Sequence, residues 1–171
     1  LHTLFKFSFT QKFTLSGPKG TAKVLRALIK QPFTAPLEHL PYETEILEMP
    51  ESQNRFPFRV KGVNLFHPPL SMGYRFPLEG KEIAYCPDTG YCDNAVALAK
   101  GADLLISECS FLPGEHRADW PHLNPQFAAR IAKEAGAARL ALVHFDAAKY
   151  TTMELRKEAE KEARKIFPNT F

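Results

Sequence analysis

Three side chains that bind metals well each follow an apolar run of this sequence. They are His67, Asp88 and His144. Short apolar runs are typical of β-strands, and layered α/β folds carry their chemistry at the carboxyl ends of strands. Imidazoles and a carboxylate together suit zinc or manganese. We therefore expect the three side chains to converge on one metal site, with bond lengths of about 2.0–2.2 Å to an ion.

Each of these residues also has an ordinary structural interpretation. Asp88 precedes Thr-Gly and could cap the following turn, His67 could cap a loop before two prolines, and His144 could be a hydrogen-bonded core histidine. His122 precedes a helix start and could be an exposed polar residue. Taken singly, the structural interpretation is the better one for Asp88 and the two are equally good for each histidine, but the joint placement of these residues favours function. The other histidines lack such placement and are predicted to lie on the surface: His2, His39 and His116.

The elements that must position these side chains alternate between strand and helix patterns. Asn124-Pro125 has the form of a helix start, and Gly136 of a helix end. Thr151-x-x-Glu154 has the form of a capping box, and Thr21 that of a helix cap after a turn at Ser16–Gly20. This order predicts α/β layering with a mixed sheet. The predicted strands lie at 4–9, 12–15, 44–49, 58–65, 72–78, 83–86, 102–107 and 139–143.

Composition narrows the class of protein. The chain has 171 residues, of which 44% are hydrophobic and 24% charged, and this favours one globular domain over 1–171. A formal charge of +3 with scattered basic residues gives no nucleic-acid footprint. No apolar run approaches the ~20 residues of a membrane span. Three cysteines without a C-x-x-C pair suit a reducing compartment, so we expect a cytoplasmic protein that does not act at a membrane.

Several motifs in order resemble a known family. They are Gly73-Tyr74-Arg75, Gly80-Lys81-x-Ile83-x-Tyr85, Asp88-Thr89-Gly90, Ala102–Phe111, His122 before a helix, and Leu142–Phe145. Together they are similar to the later two-thirds of a metallo-β-lactamase-fold hydrolase of the ribonuclease Z-like branch. The resemblance runs from about Phe13 to Pro168. It implies a four-layer αβ/βα sandwich.

The resemblance also implies a role for each candidate residue. His67 and His144 would be metal ligands, and Asp88 would be the carboxylate that bridges two divalent ions, zinc first, with manganese or iron as alternatives. Asp88 and His122 would be the catalytic residues, His122 lying outside the metal shell and transferring a proton near the scissile bond. The activity implied is hydrolysis of a phosphodiester or ester by a metal-activated hydroxide.

Two departures from the family pattern concern the ends of the chain. The family's main metal motif, H-x-H-x-D-H, is absent, and the closing strand after the last helix has no counterpart before Phe171. We expect that the chain lacks the N-terminal metal-motif segment and the closing strand. Such a piece would expose apolar surface, with Phe5, Phe7, Phe9 and Phe13 as candidates, and so we expect it to form homo-oligomers.

The substrate is the least determined part of the resemblance. Ribonuclease Z proper has a long tRNA-gripping arm between the Gly-Tyr-Arg strand and the bridging Asp, but here a short hairpin turning at Glu79–Lys81 joins them. This favours a small phosphodiester or ester over RNA. Three hypotheses stay open: a small-substrate hydrolase, a tRNA 3′ endonuclease using another exosite, and a non-catalytic remnant or subunit without metals.

Overall fold

The computed structural model describes residues 10–68 and 70–171, and these form two compact units. One unit ends at Phe56 and the other spans Pro57–Phe171. The strand predicted over 4–9, with its three phenylalanines, lies outside the described residues. The prediction that the chain is a single domain stays a prediction.

The first unit pairs two parallel strands and a helix that connects them. Strand β1 covers Phe13–Pro18, helix α1 covers Thr21–Leu28, and strand β2 covers Thr44–Met49. Two short 3-10 helices flank β2, one before it at Leu37–His39 and one after it at Gln53–Arg55. The strand predicted over 44–49 is confirmed at both ends. Leu47 and Met49, two positions apart on one face of β2, are its buried residues, and the other four are partly exposed.

The start of α1 differs from the prediction in two details. Strand β1 continues through the predicted glycine-proline turn to Pro18, and the residue that caps the helix is Gly20, with φ 97°. Thr21 is the first helical residue and its hydroxyl donates to the Pro18 carbonyl (2.6 Å). The acceptor at the helix start is instead Glu48 of β2, which takes the N–H groups of Gly20 and Ala22 (3.0 and 2.9 Å). A carboxylate there satisfies free N–H groups and complements the helix dipole, so no threonine cap is needed.

The second unit is built on a five-stranded sheet in the order β3-β4-β5-β6-β7. Strands β3, β4 and β5 pair antiparallel, and β5, β6 and β7 pair parallel, so the predicted mixed sheet is confirmed. Strands β3, β5, β6 and β7 therefore all run in one direction, and β4 runs in the opposite direction. Their bounds are Lys61–Asn64 for β3, Met72–Leu78 for β4, Lys81–Cys86 for β5, Leu104–Glu108 for β6 and Leu140–Val143 for β7.

Three helices pack side by side over this sheet: α2 at Asp93–Ala99, α3 at Pro125–Ala135 and α4 at Met153–Arg164. Alanine is common on their buried faces, which lets helices and sheet approach closely. Asn124 caps α3 by accepting the Phe127 N–H (2.9 Å), and Gly136 ends it with φ 61°, both as predicted.

The capping residue of α4 is one position later than the sequence suggested. The Thr152 hydroxyl accepts the Leu155 N–H (3.4 Å), so Thr152 is the N-cap and the predicted Thr151 lies outside the helix. Glu154 lies in the first turn, where its charge favours the helix start, but it is two positions after the cap and not the three of a capping box. None of the helices in the described part of the chain is long and apolar enough to cross a membrane.

The burial of two of the three cysteines predicts how the thiols react. Cys86 and Cys109 are buried, and burial raises the pKa of each thiol to about 12, whereas Cys92 is partly exposed. Only the thiolate attacks thiol reagents, and a raised pKa keeps the buried pair protonated at mildly alkaline pH. We expect an aromatic disulfide reagent to titrate one thiol in the native protein and all three after denaturation. Rapid reaction of a second thiol in the native state would contradict this packing.

Candidate active site

One edge of the second unit's sheet collects the ends of four strands that run in the same direction. His67 lies just beyond β3, Asp88 just beyond β5, and His144 directly after β7. Glu108 is the last residue of β6. The loop from β6 to α3 returns to this edge with His122. The strand-end placement inferred from the sequence is therefore present in the structure.

The loops that carry His67 and Asp88 are tied to each other. The Phe66 N–H donates to the Thr89 hydroxyl (3.2 Å), and the Gly90 N–H donates to the Phe66 carbonyl (2.8 Å). A Cβ at Gly90 would lie 2.8 Å from Phe66 Cδ1 and 2.9 Å from Pro121 Cβ. Only glycine fits such a close approach. Gly90 therefore lets the loop of Asp88 pack between the loop that carries His67 and the loop that carries His122.

His122 is held by a fully buried carboxylate. Its Nδ1 lies 2.7 Å from Glu108 Oε1, and Glu108 also accepts the N–H groups of Thr89 (2.6 Å) and Ser110 (3.1 Å). Because a carboxylate accepts this bond, Nδ1 carries the proton and Nε2 is left to face a ligand. Burial raises the pKa of Glu108 to about 7, against the backbone donors that lower it. Burial lowers the pKa of His122, and the charge of Asp88 opposes this.

His144 adopts a backbone conformation that is rare for a residue with a Cβ. Its φ is 55°, in the left-handed region, directly after β7 ends. The conformation costs about 1–2 kcal/mol relative to an ordinary one. It accompanies a contact of 3.1 Å between His144 Nε2 and Asp88 Oδ1, with both side chains about half exposed. Strained residues of this kind cluster at functional sites, where the surrounding structure offsets the strain.

The predicted site residues converge. One ligand atom from each of His67, Asp88 and His122 lies within 4.8 Å of the others. The His122 and His144 rings stack with their centroids 6.0 Å apart, and the His67 and His122 centroids are 4.9 Å apart. Two imidazoles and a carboxylate at this spacing fit a divalent ion of the zinc or manganese type. The three residues whose ligand atoms lie this close together include His122, whereas the predicted metal ligands were His67, Asp88 and His144. The assignment of roles therefore stays a prediction.

The remaining histidines do not join this group. His39 is exposed in the first unit, and His116 is exposed with its ring centroid 5.9 Å from that of Phe127. Both positions agree with the predicted surface placement. His2 lies outside the described residues.

Sequence reasoning missed Glu108. It ends the buried strand β6, and a carboxylate at the end of an apolar strand is the same signal that identified Asp88. The two differ in exposure, because Glu108 is completely buried and Asp88 is not. The hydrophobic pattern of the sequence does not distinguish a buried carboxylate from an exposed one, since both residues lie at the end of an apolar run. The contacts of Trp120 with His67 and His122 were likewise not anticipated from the sequence.

Glu108 should matter first for stability. Replacing Glu108 with Gln removes one of two acceptor oxygens that serve buried N–H groups of Thr89 and Ser110. Leaving a buried donor unsatisfied costs about 1–3 kcal/mol. We expect Glu108→Gln to lower the free energy of unfolding by this amount in urea denaturation. The exposed Glu79→Gln is the matched control and should unfold like the wild type. Equal stability of all three proteins would contradict the role assigned to Glu108.

Comparison with protein families identifies the fold. Residues 1–145 match the model of the beta-lactamase superfamily domain. Ribonuclease Z of Sulfolobus acidocaldarius is 42% identical over 102 residues, which cover 60% of this chain and 34% of that protein. Ribonuclease Z of Nostoc punctiforme is 47% identical over 97 residues, covering 53% and 30%. The probable metallo-hydrolase YhfI of Bacillus subtilis is 38% identical over 88 residues, covering 52% and 36%.

Solved structures give the same result. The crystal structure of the metallo-beta-lactamase fold protein YhfI from Bacillus subtilis superposes with a TM-score of 0.75 at 24% identity, over 98% of this chain and 64% of that one. The short form of human tRNase Z superposes with a TM-score of 0.61 at 25% identity, over 77% and 60%. The chain spans about a third of the length of the curated relatives it matches. The chain belongs to the beta-lactamase superfamily and has the metallo-β-lactamase fold.

Proposed function

We propose that the chain carries ligands of a hydrolytic metal site, and that the protein hydrolyses a phosphodiester or ester. The observation that supports this most directly is the convergence of His67, Asp88 and His122 within 4.8 Å, with His144 in contact with Asp88. Asp88 and His144 stay about half exposed in this cluster, which leaves their ligand atoms accessible from solvent. The hydrolase names of the relatives support the same reaction class.

In this proposal His67, Asp88 and His144 would hold divalent ions, with Asp88 as the carboxylate shared between two of them. His144 Nε2 lies 3.1 Å from Asp88 Oδ1, so these two side chains reach the same space. Two bound ions would supply the charge that activates water and polarises a phosphoryl or carbonyl oxygen. Imidazole nitrogens with a carboxylate favour zinc, and manganese or iron also accept these ligands.

His122 acts on the proton of the leaving group. Glu108 fixes its ring through Nδ1, so Nε2 faces the same space as the ligand atoms of His67 and Asp88. When Nε2 is protonated as well, a histidine held in this way can donate that Nε2 proton to an oxygen that leaves with negative charge. The low exposure of the ring keeps bulk water from replacing the substrate as its partner.

The β4–β5 hairpin favours a small substrate. Leu78 pairs with Lys81, so Glu79 and Gly80 alone form the turn, with φ 50° and 75°. No tRNA-gripping arm fits in a two-residue turn. A tRNA 3′ endonuclease remains the second candidate, and the identity to two enzymes named ribonuclease Z favours it. We further propose that the protein is a homo-oligomer.

Metal analysis and three substrates test the proposal. The purified protein should contain zinc, manganese or iron in proportion to the chain. It should hydrolyse bis(4-nitrophenyl) phosphate or a simple carboxylate ester faster than it processes the 3′ end of a precursor tRNA. Faster tRNA processing would select the second candidate. A metal-free protein that remains inactive after zinc and manganese are added would favour the non-catalytic alternative.

A further inference from the structure

Trp120 is a large exposed aromatic residue beside the histidines of the candidate site. Its indole is 46% exposed, although it contacts two site histidines. The ring centroids of Trp120 and His67 are 5.5 Å apart, and those of Trp120 and His122 are 5.8 Å apart. Neither arrangement is a face-to-face stack, since the interplanar angles are 71° and 51°. Part of the indole therefore stays exposed while its ring contacts the site histidines.

A second exposed aromatic residue lies on the same side. Phe66 directly precedes His67 and is 56% exposed. Phe66 and Pro121 both pack against Gly90, and Pro121 directly follows Trp120. The glycine thus holds the backbones of the two aromatic residues near each other at the rim of the site. We call Phe66 and Trp120 the aromatic rim.

The local sequence gives no structural reason for this exposure. The loop around Trp120 is otherwise polar, with Arg117 paired to Asp119 at 2.8 Å on the surface. An exposed indole in such a loop leaves apolar area in water, which is unfavourable unless a ligand covers it. Rings of this kind prefer offset or edge contacts with other planar groups, at centroid distances of about 4.5–7 Å.

We propose that Trp120, with Phe66, stacks on a planar aromatic ring of the substrate and so determines specificity at this site. The inference rests on the proposed function for the position of the scissile bond. A ring one or two bonds from that bond would reach the indole, because the Trp120 centroid lies only 5.5 Å from that of His67. A nucleobase and a phenyl ester share this chemistry. The substrate class is a phosphate or carboxylate ester whose leaving or retained group carries such a ring.

Fluorescence gives a direct test, because Trp120 is the single tryptophan of the sequence. The intrinsic emission should be quenched or shifted by adenosine 5′-monophosphate and by phenyl phosphate, but not by ribose 5-phosphate, which has the phosphate without the ring. Response to the nucleotide alone identifies a nucleobase, and response to both identifies any planar ring. Equal response to all three, or no response up to millimolar concentration, overturns the proposal.

Variants separate stacking from support of the histidines. Trp120→Ala should weaken binding of the ring-bearing phosphate by about ten-fold or more in calorimetry, and Trp120→Phe should recover most of it. Binding of ribose 5-phosphate should be unchanged in both variants, whereas a purely structural role would weaken both ligands alike. Phe33→Ala removes a 77% exposed aromatic residue of the first unit and is the matched control. These are binding measurements, so they decide the inference even if no hydrolysis is found.

Discussion

Asp88→Asn should lower hydrolysis by several orders of magnitude while the protein still folds. A bridging carboxylate reduces the repulsion between two cations, and the amide keeps its size but loses the charge that the cations need. The side chain is about 40% exposed and its carboxylate contacts only His144 among the described ion pairs. The fold should therefore tolerate the change. Turnover of the activated phosphodiester and metal content per chain are the two measurements, and both should fall.

The control for Asp88→Asn is Asp93→Asn. Asp93 is exposed in the first turn of α2, five positions later in the chain. Its loss should reduce stability slightly through the helix dipole and leave metal content and turnover unchanged. Wild-type metal content in Asp88→Asn would show that the carboxylate is not a ligand. Loss of folding, seen by circular dichroism, would show that Asp88 supports structure instead.

The sequence was sufficient to predict that three candidate residues follow strands, because short apolar runs are easy to recognise. His67, Asp88 and His144 each follow an apolar run, and the sheet directions then bring those ends to one edge. The family resemblance was needed to propose which of them bind metal. The order of strands is a property of long-range pairing, which local patterns do not contain. The match of residues 1–145 to the superfamily domain agrees with the resemblance.

The details that the sequence did not give depend on contacts between distant residues. Glu48 of β2 supplies the acceptor at the start of α1, so the local threonine signal at Thr21 was misleading. Glu108 lies fourteen positions before His122, and their contact forms only when the loop after β6 folds back. The choice between Thr151 and Thr152 as the cap of α4 turned on one residue. Capping patterns do not resolve a shift of that size.

His122→Ala tests whether proton transfer and metal binding belong to different residues. We expect turnover to fall by about 10²–10⁴-fold, which is the usual contribution of a general acid. The proposal has His122 outside the metal shell, so metal content should stay at the wild-type level. The loss should be smaller for a substrate with a good leaving group, such as 4-nitrophenolate, because that oxygen needs little protonation. A ratio of rates for good and poor leaving groups is the most direct measurement.

The hydrogen bond between His122 and Glu108 means that loss of metal from His122→Ala would also be informative. A histidine that donates Nδ1–H to a carboxylate, as His122 does to Glu108, is also the usual arrangement of a metal ligand. If metal is lost from His122→Ala, then His122 belongs with His67 and Asp88 as a ligand, consistent with their mutual distances within 4.8 Å. His144→Ala would then keep its metal and lose only rate. Measuring metal content in both histidine variants therefore assigns each role without reference to the substrate.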